Sequence, residues 1–389
     1  MSNRYRELKV KEVIRETPDA ISIVFEKPAE RMPYQAGQFL TLITTVEGKK
    51  QRRSYSLSSC PFLDMNPTVT VKRVAGGVMS NYLNENLKAG DTLEIMEPMG
   101  NFTTTLVGTE ERHLIMFGGG SGITPLMSIM KSVLYAEPKT KVSLIYANRD
   151  KDSIIFKKQI EAMQEKYDKT FRVVHLLEEP AAEFSSLSGR IEAERVSELL
   201  AELPQHPAED SEYFLCGPTG MMKNVMEGLK KLDINPSRIH KESFVAGVTA
   251  PAPDGGQEVI PPPQDSEVSE QVAEKEAEAS NSPAGPPGAF ETSGAQVTER
   301  QEVTVVYEGE EYTFTVEPDN SILHTALALD IDLPYSCQSG ICTACMGKCT
   351  SGKVKLDEED TLTDGELKDG YVLTCVGHPL TPGVRIEID

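Results

Sequence analysis

No run in this 389-residue chain approaches the length of a membrane-spanning helix, which needs about 18 or more consecutive apolar residues. The first residues, Met1-Ser2-Asn3-Arg4-Tyr5-Arg6, carry no apolar h-region of the kind that marks a secretory leader. The expectation is a cytoplasmic protein without a membrane segment, where structural disulfides are rare and the seven cysteines need another explanation. Positive charge is also scarce. The net charge is −21 and no basic face is visible, which argues against a nucleic-acid partner. The six histidines never fall at metal-ligand spacing, and no second C-x2-C knuckle accompanies the one present, which argues against zinc. No repeat of solenoid length is visible.

The charge deficit is localised. Residues 301–389 hold 17 Asp and Glu against 5 Lys and Arg, and residues 246–300 hold 10 against 2, which leaves residues 1–245 close to neutral at −1. An acidic C-terminal unit of this kind is either plainly soluble or suited to docking on a positive surface. From Ala246 to Arg300 the chain is rich in Pro, Glu, Ala and Ser, with Pro261-Pro262-Pro263, Pro286-Pro287 and the single aromatic Phe290. Such a composition buries too little apolar surface to offset chain entropy, so a disordered linker is expected, with at most a transient helix over Glu267–Ala279. Length and composition together suggest several domains.

Four of the cysteines carry the strongest chemical signal. Cys337, Cys342 and Cys345 stand at C-x4-C-x2-C spacing and Cys375 follows at a distance, the pattern of a plant-type [2Fe–2S] site. Gly340 permits the strained dihedrals that a loop coiled around a small inorganic core needs, and Ser339, Thr343 and Ala344 are small. Cys375 would close the site from the far side, at the end of Leu373-Thr374. Cys349 could compete as a ligand, but Met346–Val354 reads as a hairpin strand, where a free cysteine serves as a small buried hydrophobe. Cys60 has the same default.

Two textures fill the first 245 residues. Over 5–103, short apolar runs such as Ala20–Phe25, Gln38–Leu42, Thr68–Val71 and Thr92–Ile95 alternate between turns, which predicts an antiparallel barrel. Over 110–245, strands (His113–Phe117, Val142–Tyr146, Arg172–Leu177, Tyr213–Cys216) alternate with helices (Thr124–Leu134, Ile154–Lys166, Thr219–Leu232), as a parallel sheet requires. The first parallel strand runs into Gly118-Gly119-Gly120-Ser121-Gly122-Ile123-Thr124-Pro125. There Thr124 is expected to cap the next helix and leave its N–H groups facing a diphosphate. In the barrel half, Arg53 and Tyr55 fall on one face of a strand, a guanidinium for phosphate beside a ring for a flat cofactor. Gly76-Gly77-Val78-Met79-Ser80 offers a second glycine-led helix start. His113 and His175 occupy strand positions and read as structural.

Together these motifs resemble the ferredoxin–NADP reductase superfamily. The resemblance rests on Arg53-x-Tyr55-Ser56, on Gly90–Ile95 with Pro98-x-Gly100-x-Phe102, and on the Gly118–Pro125 loop. It continues through Tyr146-Ala147-Asn148-Arg149 and Cys216-Gly217-Pro218 to Glu242-Ser243-Phe244. With the cysteine unit attached after it, the chain is similar to the reductase components of oxygenases. The resemblance implies an FAD-binding β-barrel domain over 1–108 and an NAD(P)-binding α/β domain over 109–245. A linker over 246–300 and an α+β, β-grasp ferredoxin domain over 301–389 would follow. It further implies that Arg53 holds flavin phosphate and Tyr55 stacks along the ring system, with Ser56 near the flavin N5. Gly77, Val78, Met79 and Ser80 would line the FAD pyrophosphate, while Gly120, Gly122 and Thr124 would take that of the nicotinamide dinucleotide. Asn148 and Arg149 belong to the adenosine end, where Arg149 suits a 2′-phosphate and favours NADPH over NADH. Cys216, with Gly217 and Pro218, would lie near the nicotinamide C4, and Phe244 would cover part of the flavin. The implied function is electron transfer from NAD(P)H through FAD, with FMN the alternative, and a [2Fe–2S] cluster to a terminal oxygenase. A desaturase, an alkane hydroxylase or another redox acceptor could stand in its place. A monomer is expected, and a carrier without enzymatic activity would not need the nucleotide motifs. The long acidic linker departs from the family, which leaves a single fixed geometry of the cofactors unsupported by sequence.

Overall fold

The alternating stretches at the N-terminal end become six strands: β1 (Tyr5–Thr17), β2 (Ala20–Phe25), β3 (Phe39–Val46), β4 (Lys49–Ser56), β5 (Thr68–Lys72) and, after helix α1 (Val78–Asn86), β6 (Thr92–Met99). In this computed structural model they pair antiparallel in the order β4-β3-β6-β1-β2-β5. The two edges meet through a Leu57–Val69 bridge and a Ser58 N–H donated to the Thr68 carbonyl at 2.8 Å, closing the expected barrel. Alternate residues point inward, and Leu8, Ile21, Leu40, Val69 and Ile95 share one core with Met79 and Leu83 of α1. The structure describes residues 5–244 and 297–388, apart from 31, 109–110, 205–206, 208–209, 298, 339, 341, 358–360 and 363. The expected linker, including Glu267–Ala279, therefore lies almost entirely outside the described residues.

The second unit is a six-stranded parallel sheet. Its elements are β7 (His113–Gly119), α2 (Ile123–Ala136), β8 (Lys141–Asn148), α3 (Lys157–Lys166), β9 (Phe171–Leu177), β10 (Leu187–Ser188), α4 (Val196–Ala201), β11 (Ser211–Gly217), α5 (Thr219–Lys231) and β12 (Ile239–Ser243). The order β10-β9-β8-β7-β11-β12 places β8 on one side of β7 and β11 on the other. The ends of β7 and β11 thus form the switch point where such sheets bind nucleotides. Every residue of β7 is buried, as expected for a strand covered on both faces. Leu114 and Met116 pack under α2 and α3, and Ile115 and Phe117 under α4 and α5. The edge strands β10 and β12 and the short helix α4 carry too little periodic pattern to be read from sequence.

Two expectations are corrected. Thr124 does not cap α2: Gly120–Gly122 form a 3-10 turn that carries the helix back to Gly122, so Thr124 lies inside it and donates its hydroxyl to the Ser121 carbonyl at 2.9 Å. The helix expected from Ile154 starts at Lys157, because Ile154, Ile155 and Phe156 are drawn into the core and Phe156 adopts a left-handed φ of 62°.

Barrel and parallel sheet share apolar contacts, with Ala20, Ala36 and Phe102 of the first packed in the same cluster as Met127, Ile129 and Met130 of α2. A buried ion pair pins the connection between them. Arg112 donates to both carboxylate oxygens of Glu137 (2.8 and 3.1 Å), to Glu212 (2.7 Å) and to the Thr105 carbonyl (2.9 Å). Glu137 in turn accepts from the Val107 N–H at 3.0 Å.

The third unit comprises β13 (Gln301–Tyr307), β14 (Glu310–Val316), α6 (Ile322–Ala328), β15 (Met346–Ser351), β16 (Val354–Leu356), α7 (Asp364–Lys368), β17 (Tyr371–Leu373), β18 (Gly377–Pro379) and β19 (Val384–Ile388). Five strands form a mixed sheet, β14-β13-β19-β15-β17, with β13 and β19 parallel at its centre. Ile322, Leu323 and Ala326 of α6 pack with Val303, Val305 and Ile386 of the sheet, the β-grasp arrangement expected.

Arg112→Ala leaves the Glu137 carboxylate buried without its cation, so a loss of about 3–5 kcal/mol is expected. Chemical denaturation followed by a probe in the parallel-sheet unit would measure it, and a loss under about 1 kcal/mol would mean that water or another cation replaces the guanidinium.

Candidate active site

Three helices begin beside open clefts without a capping side chain or an acidic residue in the first turn: α1 at Gly77, α2 at Gly122 and α5 at Pro218. Helix starts of this kind leave N–H groups and the positive dipole end available to an anion. Two clefts lie beside them, one of about 490 Å³ and one of about 700 Å³.

The first cleft is walled by all three units. The barrel contributes Arg53, Tyr55 and Ser56 from β4 and Gly77, Val78, Met79 and Ser80 from the start of α1. The parallel-sheet unit contributes Thr124, Glu242 and Phe244, and the third unit contributes Cys337 and Cys342. Two buried polar atoms on this wall have no protein partner, the Ser56 hydroxyl and Oε2 of Glu242. Buried polar atoms are nearly always satisfied, so both point to a ligand group. Burial alone raises the Glu242 carboxyl to about 8 and pushes the Tyr55 phenol upward.

The second cleft opens at the switch point, with Gly120, Asn148, Arg149 and Pro218 on its walls. Gly120 takes φ +51°, and a Cβ there would meet the Lys72 ammonium at 3.3 Å. Lys72 lines both clefts, and burial lowers its pKa. Arg149 is exposed and pairs with Asp150 at 2.8 Å. Asn148 is buried with neither amide atom satisfied. Three of the predicted nucleotide-binding residues line neither cleft. A Cβ on Gly122 would lie 2.0 Å from the Cys216 carbonyl oxygen, so this glycine permits the close approach of α2 to β11. Cys216 is fully buried, beside Glu242 across the β11–β12 pair, and Gly217 follows it at the strand end. Burial and the Glu242 carboxylate hold the Cys216 thiol well above its usual range.

The four predicted cluster cysteines are neighbours. The sulfurs of Cys337 and Cys342 are 3.2 Å apart, the Gly340 N–H points at Cys375 Sγ at 3.4 Å, and Cys345 and Cys375 contact one another. Among the described residues no group of three or more His, Cys, Asp or Glu could hold a single metal ion. A two-iron cluster differs in taking two thiolates at each iron, which fits four thiols gathered from one loop and the segment after β17. Cys349 lies on β15 with its thiol toward the Ser351 carbonyl at 3.2 Å, as a buried strand residue. His113 shares a hydrogen bond of 2.7 Å with Ser143, and burial lowers His175 to about 4; neither lines a cleft.

Residues 6–104 match the family described as an oxidoreductase FAD-binding domain, 116–227 an oxidoreductase NAD-binding domain, and 305–380 a 2Fe-2S iron-sulfur cluster binding domain. The chain is 34% identical over 388 residues to the ferredoxin reductase component of 3-ketosteroid-9-alpha-monooxygenase from Rhodococcus rhodochrous, covering 98% of this chain and 96% of that one. It belongs to the iron–sulfur flavoprotein reductases of the ferredoxin–NADP reductase superfamily. The reductase is also 30% identical to a component of the 1,2-phenylacetyl-CoA epoxidase from Escherichia coli, covering 99% and 98% of the two chains. Its fold matches phthalate dioxygenase reductase with a TM-score of 0.55 at 20% identity, covering 99% and 98%. It is an oxidoreductase, the reductase component of an oxygenase system, with FAD, a [2Fe–2S] cluster and NAD(P)H as cofactors.

Among the cleft residues that sequence reasoning missed, two stand out for their shifted titration, Glu242 and Lys72. Glu242 stood inside a motif without a role of its own, and Lys72 ended a strand recognised only by its alternation. The signal for Lys72 was a charged residue closing an alternating strand, whereas the polar strand β12 offered none for Glu242. Folding raises the Glu242 pKa, so its contribution to stability is full below the ordinary carboxylate range and is lost as pH rises through about 8. In flavin-free protein, Glu242→Gln is expected to flatten the fall in Tm between about pH 5 and 8, followed by calorimetry. An unchanged slope would mean that the carboxylate meets a cation when it ionises.

Proposed function

We propose that this reductase passes electrons from NAD(P)H to FAD in the cleft where its three units meet, then to the adjoining cysteine loop and out to the oxygenase. The observation that carries this order is the shared wall, with Tyr55 and Ser56 of the barrel, Glu242 and Phe244 of the sheet unit, and Cys337 and Cys342 of the third. When bound, a flavin accepts a hydride from the dihydronicotinamide, and a two-iron cluster carries single electrons.

The chain's own residues have separable tasks in this reading. Arg53 and the start of α1 (Gly77, Val78, Met79, Ser80) hold flavin phosphates, the first through a charge-assisted pair and the second through free N–H groups. Tyr55 supplies an aromatic wall, Ser56 offers its unpartnered hydroxyl to the flavin edge, and Phe244 covers the opening. Gly120 and Pro218 shape the dinucleotide site, Thr124 lines the flavin cleft beside it, and Lys72 counters phosphate charge between the clefts. Gly122 and Gly217 act by letting backbones approach, and Cys216 by packing beneath the reacting face. Glu242 keeps a proton on its carboxyl near neutral pH, which leaves a donor rather than a negative charge beside the reacting atoms. Cys337, Cys342, Cys345 and Cys375 are the cluster ligands. The units correspond to 1–108, 109–245 and 301–389 with 246–300 between them, and the protein is taken as a cytoplasmic monomer.

The ligand set is tested by spectroscopy. Cys342→Ser is expected to lose the cluster absorption and keep flavin, whereas Cys349→Ser keeps both. Bleaching in Cys349→Ser, or zinc in anaerobically purified protein, would overturn the assignment. Arg149 and Asn148 are assigned to the adenosine end, with Arg149 favouring the 2′-phosphate of NADPH. Accordingly, Arg149→Ala should raise KM for NADPH about tenfold more than for NADH, the loss of one charge-assisted contact. Equal changes in steady-state assays with both nucleotides would remove Arg149 from that role.

A further inference from the structure

The cysteine loop does not merely lie near the flavin cleft; one arginine holds it there. Arg52, next to the flavin-facing Arg53, points from the opposite face of β4. Its side chain is 2% exposed, although the partner carboxylate of Asp332 is 62% exposed. Both oxygens of Asp332 accept from Nη2 at 2.8 and 2.9 Å. The guanidinium carbon stands 4.7 Å from the Tyr335 ring and 5.7 Å from the Tyr5 ring, and Nη1 donates to the Tyr5 hydroxyl at 3.3 Å. Asp332 and Tyr335 belong to the third unit, so Arg52 loses its two strongest partners whenever that unit leaves. Two residues further along β4, Ser54 donates to the hydroxyl of Ser336, immediately before Cys337, at 2.7 Å. A third contact, from the Asn101 side-chain amide to Glu366, lies away from the cysteine loop.

We infer that Arg52 is a positioning residue for electron transfer, the anchor that sets the pose of the cluster unit against the flavin cleft. The inference rests on the flavin and cluster assignments proposed above. Its physical basis is the combination at one side chain of a carboxylate pair through Nη2, a hydroxyl contact through Nη1 and contacts to two aromatic rings, which fixes orientation as well as distance. Lysine supplies a point charge and cannot reproduce that geometry. The anchor is also reversible. Nε of Arg52 is buried without a partner, so docking leaves part of the desolvation cost uncompensated, and the unit remains free to separate. The junction is otherwise polar, so salt weakens it.

The test uses the full chain loaded with both cofactors, in a parent carrying Asn101→Cys and Glu366→Cys. A short bismaleimide joins these two positions only when the units are docked, and gel mobility reads the product. Adding Arg52→Ala, Arg52→Lys or Asp332→Asn is expected to slow cross-linking about tenfold, the loss of one half-buried charge pair at an interface. Asp332→Asn alters an exposed carboxylate and keeps the fold, so it decides the matter if an Arg52 variant misfolds. In stopped-flow experiments without the cross-linker, flavin reduction by NADPH should keep its rate while cluster reduction slows by a similar factor. Cross-linking at the parental rate in all three variants overturns the anchor. Slower cross-linking with unchanged cluster reduction overturns the positioning role. A parent whose cluster never reduces strikes the electron order proposed above, and the cross-linking result still decides the docking.

Discussion

Hydride transfer requires donor and acceptor atoms in near contact, and electron transfer from a flavin to a cluster also weakens steeply with separation. Three units with separate cores must therefore bring their edges to one cleft. Strand β4 is where that constraint is met. Arg53 and Tyr55 line the first cleft together with Ser54 and Ser56, while Arg52 and Ser54 also bond to the third unit. A single eight-residue strand thus borders both the cleft and the cluster unit.

The two junctions around the cleft are built from different interactions. Barrel and parallel sheet share an apolar core and are pinned by the Arg112–Glu137–Glu212 network and by Ser128, which donates to the Ser59 carbonyl at 2.6 Å. A junction of this type behaves as one body, which suits a hydride transfer that tolerates little variation in distance. Cluster unit and barrel instead meet through an ion pair, ring contacts on Arg52 and hydroxyl or amide hydrogen bonds. Polar interfaces between domains favour relative motion. Such motion is useful where a cluster must first face its donor and then its acceptor. The acidic excess of residues 301–389 acts in the same direction, since among the described residues Arg52 is the cation of the nearly neutral half that pairs with it.

The electrostatics inside the cleft are set by burial more than by charge partners. Glu242 is raised and Lys72 lowered chiefly by desolvation, which favours a protonated carboxyl on the wall of the first cleft and sets a partly desolvated amine between the two clefts. Cys216 belongs to the same pattern: it contributes a neutral, polarisable layer behind Glu242.

Much of this was written in local patterns. Alternation gave β2, β3, β5 and β6, continuous apolar runs gave β7, β8, β9 and β11, and glycine-led turns marked the starts of α1 and α2, because each depends on neighbours within one element. The cysteine spacing is local as well, for three of the four thiols lie on a single loop. Other features depended on partners far along the chain. Thr124 looked like a cap until the 3-10 turn moved the helix start, and Gly122 looked like a phosphate residue until β11 was placed against it. Ile154–Phe156 left the helix because the core needed them. Lys72 and Glu242 could be any strand-end charges until two clefts formed around them. Arg52 read as a neighbour of Arg53 and nothing more, since its partner Asp332 lies 280 residues away. The sequence by itself therefore determined most strands and helices of the first two units and the cofactor classes, whose chemistry is encoded in motifs and spacing. Only the tertiary structure decided which charges are buried and how the cluster unit is held, because desolvation and docking are properties of surfaces brought together from distant parts of the chain.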